Sequence, residues 1–163
     1  MNKNRLKHIK SRFSKLVSSI QPHMEHLDFR KLEDVDDDIF AYLMEKVKGV
    51  KMLDLNGTDI SNESMRLLTR LEYIYELRMK DCTEINDEAI PYINQLSSLR
   101  LLHVKDTNIT IEGLLKLTNL HQLEDLIFSA TEHADISSQL YKLQEQLIGC
   151  RLFMNGKPYR IEN

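Results

Sequence analysis

Cysteine is scarce in this chain: Cys82 and Cys150 are the only two. Two thiols cannot build a disulfide framework, and nothing else in the sequence argues for export, so a reducing cytosol is the implied compartment. No apolar run approaches the roughly 18 residues that a membrane-spanning helix needs. The N-terminus is basic but lacks the apolar core and small-residue cleavage site of a secretory signal. Glycine-rich phosphate loops and nucleophile elbows are missing too, and no histidine pair stands at metal-ligand spacing from either cysteine. The first 24 residues contain no acid at all.

What is there has the balance of one folded domain. The 163 residues are 42% hydrophobic and 29% charged, enough for a substantial core and too short to expect two domains. The net charge of −3 is unevenly spread. Lys3, Arg5, Lys7, Lys10, Arg12 and Lys15 sit in the acid-free front end, and all 25 acidic residues follow it. Leu6, Ile9, Phe13, Leu16, Val17 and Ile20 fall on one helical stripe, so residues 1–22 read as an amphipathic basic capping helix. Its basic face admits three uses: a solvated surface, a dock for an anionic membrane or nucleic acid, or a mitochondrial targeting segment.

Residues 23–163 carry an internal repeat. The segments "VKMLDLNGTDI" (50–60), "IYELRMKDCTEI" (74–85) and "LRLLHVKDTNI" (99–109) share one pattern, apolar-x-x-Leu-x-apolar-x-x-(Thr or Cys)-x-Ile, with one extra residue in the second. The pairs Leu53/Leu55, Leu77/Met79, Leu102/Val104 and Leu126/Phe128 recur at intervals of 24 to 25 residues. Leu27/Phe29 and Leu152/Met154 extend the series to six units at steps of 26. Period-two apolar residues predict a strand in each unit, and apolar residues at helical spacing follow, as in Ile39, Leu43 and Val47 or Ile90, Ile93 and Leu96. Asp36, Ser61, Asn86 and Thr110 are the predicted helix caps, and Pro91 fits the first turn of a helix. Near the C-terminus Asn155-Gly156 predicts a two-residue hairpin that sets Leu152 opposite Tyr159 and Cys150 opposite Ile161. Pro158 then belongs to an edge strand. Both ends read as finished, which makes the expectation a complete small domain.

This pattern resembles the leucine-rich repeat, L-x-x-L-x-L-x-x-(N or C)-x-L. Unit length and "CTEINDEAI" look closest to the ribonuclease-inhibitor-like, cysteine-containing subclass found in F-box partner proteins. Small mitochondrial coupling-factor-B type proteins are similar in size and repeat style. The resemblance implies a right-handed α/β solenoid: an inner parallel sheet of about six strands, outer helices, a helical N-cap and a C-terminal hairpin cap. It also implies a recognition or assembly module, here without an F-box.

The candidate binding residues follow from the pleat. In each unit the residue between the two core positions projects from the inner, concave surface, giving the column Asp28, Asp54, Arg78, His103, Ile127, Phe153. Flanking columns are Arg30, Asn56, Lys80, Lys105, Ser129, Asn155 and His26, Met52, Glu76, Leu101, Asp125, Arg151. At about 4.8 Å per strand each column runs ~24 Å. Charge changes sign from Asp28 and Asp54 to Arg78, Lys105 and His103, with Glu76 alongside, and Leu101, Ile127 and Phe153 form an apolar end. A contiguous apolar patch rimmed by charge points to a protein contact. The blander reading makes Asp54–Arg78 an ordinary cross-strand ion pair and lets the tail around Pro158 cover Phe153.

Chemistry elsewhere is less promising. Cys82 stands where Thr58 and Thr107 stand in neighbouring units, and Asp81 and Glu84 beside it disfavour a thiolate. "EDVDDD" (33–38) mimics a calcium loop but has Ile39 where that loop needs glycine, so a helix N-terminus is the better reading. Asp28 and His103 are three strands, ~14 Å, apart, too far to converge. The expectation is a non-catalytic protein-binding module in the cytoplasm, with no cofactor and no metal. Its rivals are membrane or nucleic-acid association through residues 1–20 and an assembly role in a mitochondrion.

Overall fold

A computed structural model describes residues 3–130 and 136–159. The fold is α/β, with strands and helical segments alternating along the chain. Helix α1 (Lys3–Ser19) precedes β1 (His23–Asp28), α2 (Asp37–Met44), β2 (Gly49–Asp54), α3 (Asn62–Leu68) and β3 (Tyr73–Arg78). A 3-10 turn (Asp87–Ala89) then runs into α4 (Ile90–Ile93), followed by β4 (Leu101–Val104), α5 (Ile111–Leu114), β5 (Asp125–Phe128), α6 (Ser137–Gln146), β6 (Arg151–Met154) and β7 (Lys157–Tyr159). The seven strands form one sheet in sequence order. β1 to β6 are parallel, and β7 turns back antiparallel on β6.

The strand register is the one the repeat pattern demands. Leu27, Leu53, Leu77, Leu102, Leu126 and Leu152 are successive partners across the sheet, and all six are buried. A slip of one residue in any pair would turn a leucine out to water. Buried residues of the helices, among them Phe13, Leu43, Leu68, Ile93, Leu114 and Leu143, join the same core. The helices therefore pack on the leucine side of the sheet, and the other side carries no described helix.

All four predicted caps are in place. Asp36 accepts from the Ile39 N–H at 3.1 Å, Ser61 from Glu63, Asn86 from Glu88 and Thr110 from Gly113. Each supplies an acceptor to a helix start that would otherwise leave its N–H groups orphaned. Pro91 stands in the first turn of α4. The acidic run thus ends as the cap and first turn of α2. The helical stretches are shorter than their apolar spacing predicts: α4 and α5 are single turns. Beyond them the backbone tightens to i→i−3 bonds, Leu96 N to Ile93 O and Leu117 N to Leu114 O, both 3.0 Å. Units of 24 to 25 residues leave too little chain for longer helices.

In α1, Ile9 and Phe13 are buried, as is Ile20 just beyond it, and Leu16 and Val17 pack against the core. Two of its six cations turn inward to the acidic run. Arg5 pairs with Asp36 and, at 3.0 Å, with Asp38, while Arg12 reaches Asp34 at 3.5 Å and the Glu33 carbonyl at 3.0 Å. Lys3, Lys7, Lys10 and Lys15 stay exposed. At the other end Leu152 pairs with Tyr159 through the Asn155-Gly156 turn, where both residues adopt positive φ. The predicted partner of Cys150, Ile161, lies outside the described residues.

Candidate functional site

Two internal ladders fix the turns at the strand ends. Cys82, fully buried, donates its thiol to Leu55 O at 3.1 Å and lies 3.7 Å from Thr58 Oγ1. Thr58 and Thr107 donate within their own units, to Leu55 O at 2.7 Å and Val104 O at 2.8 Å. Burial pushes the Cys82 thiol up despite the hydrogen bonds from Thr58. Cys150 is also buried, and burial pushes it up to about 12.

A second ladder escaped the sequence reading. The residue after each of the first three caps reaches forward to the next unit's cap. Asp37 accepts from Ser61 N and Oγ at 2.9 and 2.6 Å, Asn62 exchanges bonds with Asn86, and Asp87 accepts from Thr110 N and Oγ1 at 2.8 and 2.7 Å. Gly113 makes room for this, since a Cβ there would sit 2.1 Å from Asp87 Oδ1. The available signal was the recurrence of Asp, Asn and Asp one residue past successive caps.

The open face assembles all nine candidate residues in the expected columns. Asp28, Asp54, Arg78, His103, Ile127 and Phe153 are consecutive partners, and so are Glu76 and Leu101 in the adjoining column. Lys105 follows β4. Eight of the nine are half-buried, which leaves part of each side chain in water. Asp54 differs: its side chain is only 2% exposed, and its carboxylate takes Arg30 Nε at 3.3 Å and the Asn56 N–H at 3.2 Å.

Ion pairing also differs from the expected Asp54–Arg78 contact. Arg30 grips Asp28 with Nε and Nη2 at 3.0 and 2.7 Å and spans to Asp54. Arg78 instead pairs with Glu76 on its own strand, at 2.7 Å. A long side chain two residues away on one face competes well with a shorter one across the sheet, and Arg30 already neutralises Asp54. The bonds from Arg30 hold the Asp28 carboxyl down at about 2. Arg78 Nε and His103 Nε2, on register partners, are buried without hydrogen-bond partners. Burial and the nearby Arg78, Lys80 and Lys105 push the His103 imidazole down, so it is neutral at pH 7.

Pro158 pairs with Phe153 in the sheet. It therefore sits beside that ring and lengthens the row instead of roofing it. His103, Ile127, Phe153 and Pro158 form one apolar line across β4 to β7, with Leu101 two positions before His103. Among the described residues no group of three or more His, Cys, Asp or Glu is placed to hold a metal, and no helix is long and apolar enough to cross a membrane. The sequence matches no protein-family model.

At the strand starts, an aromatic stack that sequence reasoning missed runs His23–Tyr73–Tyr75, with ring centroids 5.8 and 5.1 Å apart and Arg100 over Tyr75 at 5.1 Å. Gly49 seats it, because a Cβ there would meet the Tyr73 ring at 2.4 Å.

Proposed function

We propose that this protein is a leucine-rich-repeat solenoid that binds another protein, without catalysis, through the concave face of its sheet. The observation that carries the reading is the row Ile127–Phe153–Pro158, half-buried to exposed on a sheet face that no described helix covers, and bordered by charge. Apolar groups flanked by charged rims are the usual anatomy of a specific contact. Recurrence of the leucine pattern in register, with Thr, Cys and Thr in one ladder, supports the repeat assignment. A binding role also suits the neighbours: Cys82 is spent on a backbone carbonyl, and Asp28 is held by Arg30.

Phe153→Asp and Ile127→Glu test the reading, since each places a charge in the apolar row without touching the core. Both should abolish capture of a binding protein from the source cell's extract and leave the melting midpoint within a few degrees of the parent. A protein captured equally by the parent and both variants would place the interface elsewhere.

A further inference from the structure

Between the charged and apolar halves of the open face, three cations gather around the neutral His103 ring. Arg78 and His103 are register partners, and Lys80 and Lys105 stand two residues beyond each of them. We infer that this cluster is a carboxylate subsite, and that the partner presents there an acidic side chain about two strand spacings from an apolar one held by Ile127 and Phe153. The inference rests on the proposed binding face and adds the chemistry of what binds.

Three observations support it. First, three cations, Arg78, Lys80 and Lys105, border His103 and act against its protonation, and each holds an acid, Glu76, Asp81 or Asp106, that a partner's carboxylate could replace. Second, the pairs that hold the lysines are open to solvent. Lys80 pairs with Asp81 and Lys105 with Asp106, and both acids are more exposed than their lysines, 52% against 40% and 42% against 28%. Such solvent-screened pairs exchange easily for a partner's carboxylate. Third, Arg78 Nε is a donor with no acceptor, and a buried polar group left unpaired calls for one. That atom is closed off from solvent here, so the arriving carboxylate must draw the guanidinium out of its present rotamer.

Position favours a protein over a free ion. The apolar row begins at Ile127, which is the next register partner of His103, and continues to Phe153. A ligand with both a carboxylate and an apolar group gains from both; a bare anion gains from one.

The probes are 5-phenylpentanoate and its amide, whose ring and head group can lie about two strand spacings apart, titrated while the His103 ring and Ile127 methyl signals are followed by NMR. The acid should shift both signals saturably with one dissociation constant, about fivefold to tenfold tighter than the amide. Arg78→Gln and Lys105→Gln should erase that preference while leaving amide binding intact, and Phe153→Ala should weaken both ligands. Equal binding of acid and amide, a shift at His103 without one at Ile127, or no shift at all would overturn the subsite. Equal binding of the two probes together with loss of protein capture in Phe153→Asp would remove the subsite alone and leave the binding face standing. Retained capture in that variant, with the acid preference intact, would remove the face and leave a small-anion site.

Discussion

The Cys82 thiol donates to the carbonyl of Leu55, 3.1 Å away and one strand unit earlier. This bond ties adjacent turns together and gives the lone cysteine between Asp81 and Thr83 a structural role. Its pKa is raised chiefly by burial, so little thiolate forms at neutral pH. Iodoacetamide should therefore label Cys82 only as fast as the protein opens, with labelling appearing at the urea concentration where circular dichroism is lost. Cys82→Ala should cost about 1–2 kcal/mol in urea unfolding, and Cys82→Thr less, because it keeps a donor at a position where Thr58 and Thr107 already serve.

Arg30 serves two acids at once, Asp28 and the buried Asp54. Arg30→Ala leaves Asp54 buried beside a like charge and should lower the urea midpoint. Asp28 titrates at about 2 in the fold against about 3.9 in an unfolded chain. Its contribution is therefore complete above about pH 4 and lost as the pH falls toward 2. Urea midpoints measured from pH 5 to pH 2 should fall more steeply for the parent than for Arg30→Ala.

Asp36 both caps α2 and receives Arg5 from α1. Replacing it with alanine should cost about 1–2 kcal/mol, a cap's worth and a little more. Hydrogen exchange should rise in α1 as well as in α2. Protection of α1 that is unchanged in Asp36→Ala would mean its apolar stripe and its remaining contacts to Glu33, Asp34 and Asp38 hold it down.

The fold was legible where one physical rule governed one position. Apolar period two gave the strands, and the leucine spacing gave their register, because a slip would expose every leucine. Asp36, Ser61, Asn86 and Thr110 were legible as caps, since only a short polar side chain serves there. Pairing on the open face was not: nothing in the one-dimensional pattern says that Arg30 outcompetes Arg78 for Asp54, or that Asp54 is buried beneath the exchange. Helix length also eluded the pattern, because apolar spacing continues through the tightened turns after α4 and α5. The aromatic stack was hidden because His23, Tyr73 and Arg100 belong to separate units.

Basic residues on α1 offer the competing route to function, through an anionic membrane or nucleic acid. Arg5 and Arg12 are engaged with Asp34, Asp36 and Asp38, which leaves Lys3, Lys7, Lys10 and Lys15 to make such contacts. Co-sedimentation with phosphatidylserine vesicles or duplex DNA should be weak at 150 mM salt and vanish on a further increase. Tight, salt-resistant binding would contradict the proposed division of labour between α1 and the sheet.

The central claim is that the partner sits on the apolar row of the open face. A photoreactive benzoylphenylalanine placed at Phe153, and separately at Glu112 on the helical side, tests it most directly. Irradiation of the complex should cross-link the partner from position 153 and not from 112. Cross-linking from 112 with none from 153 would put the partner on the helices and contradict the account.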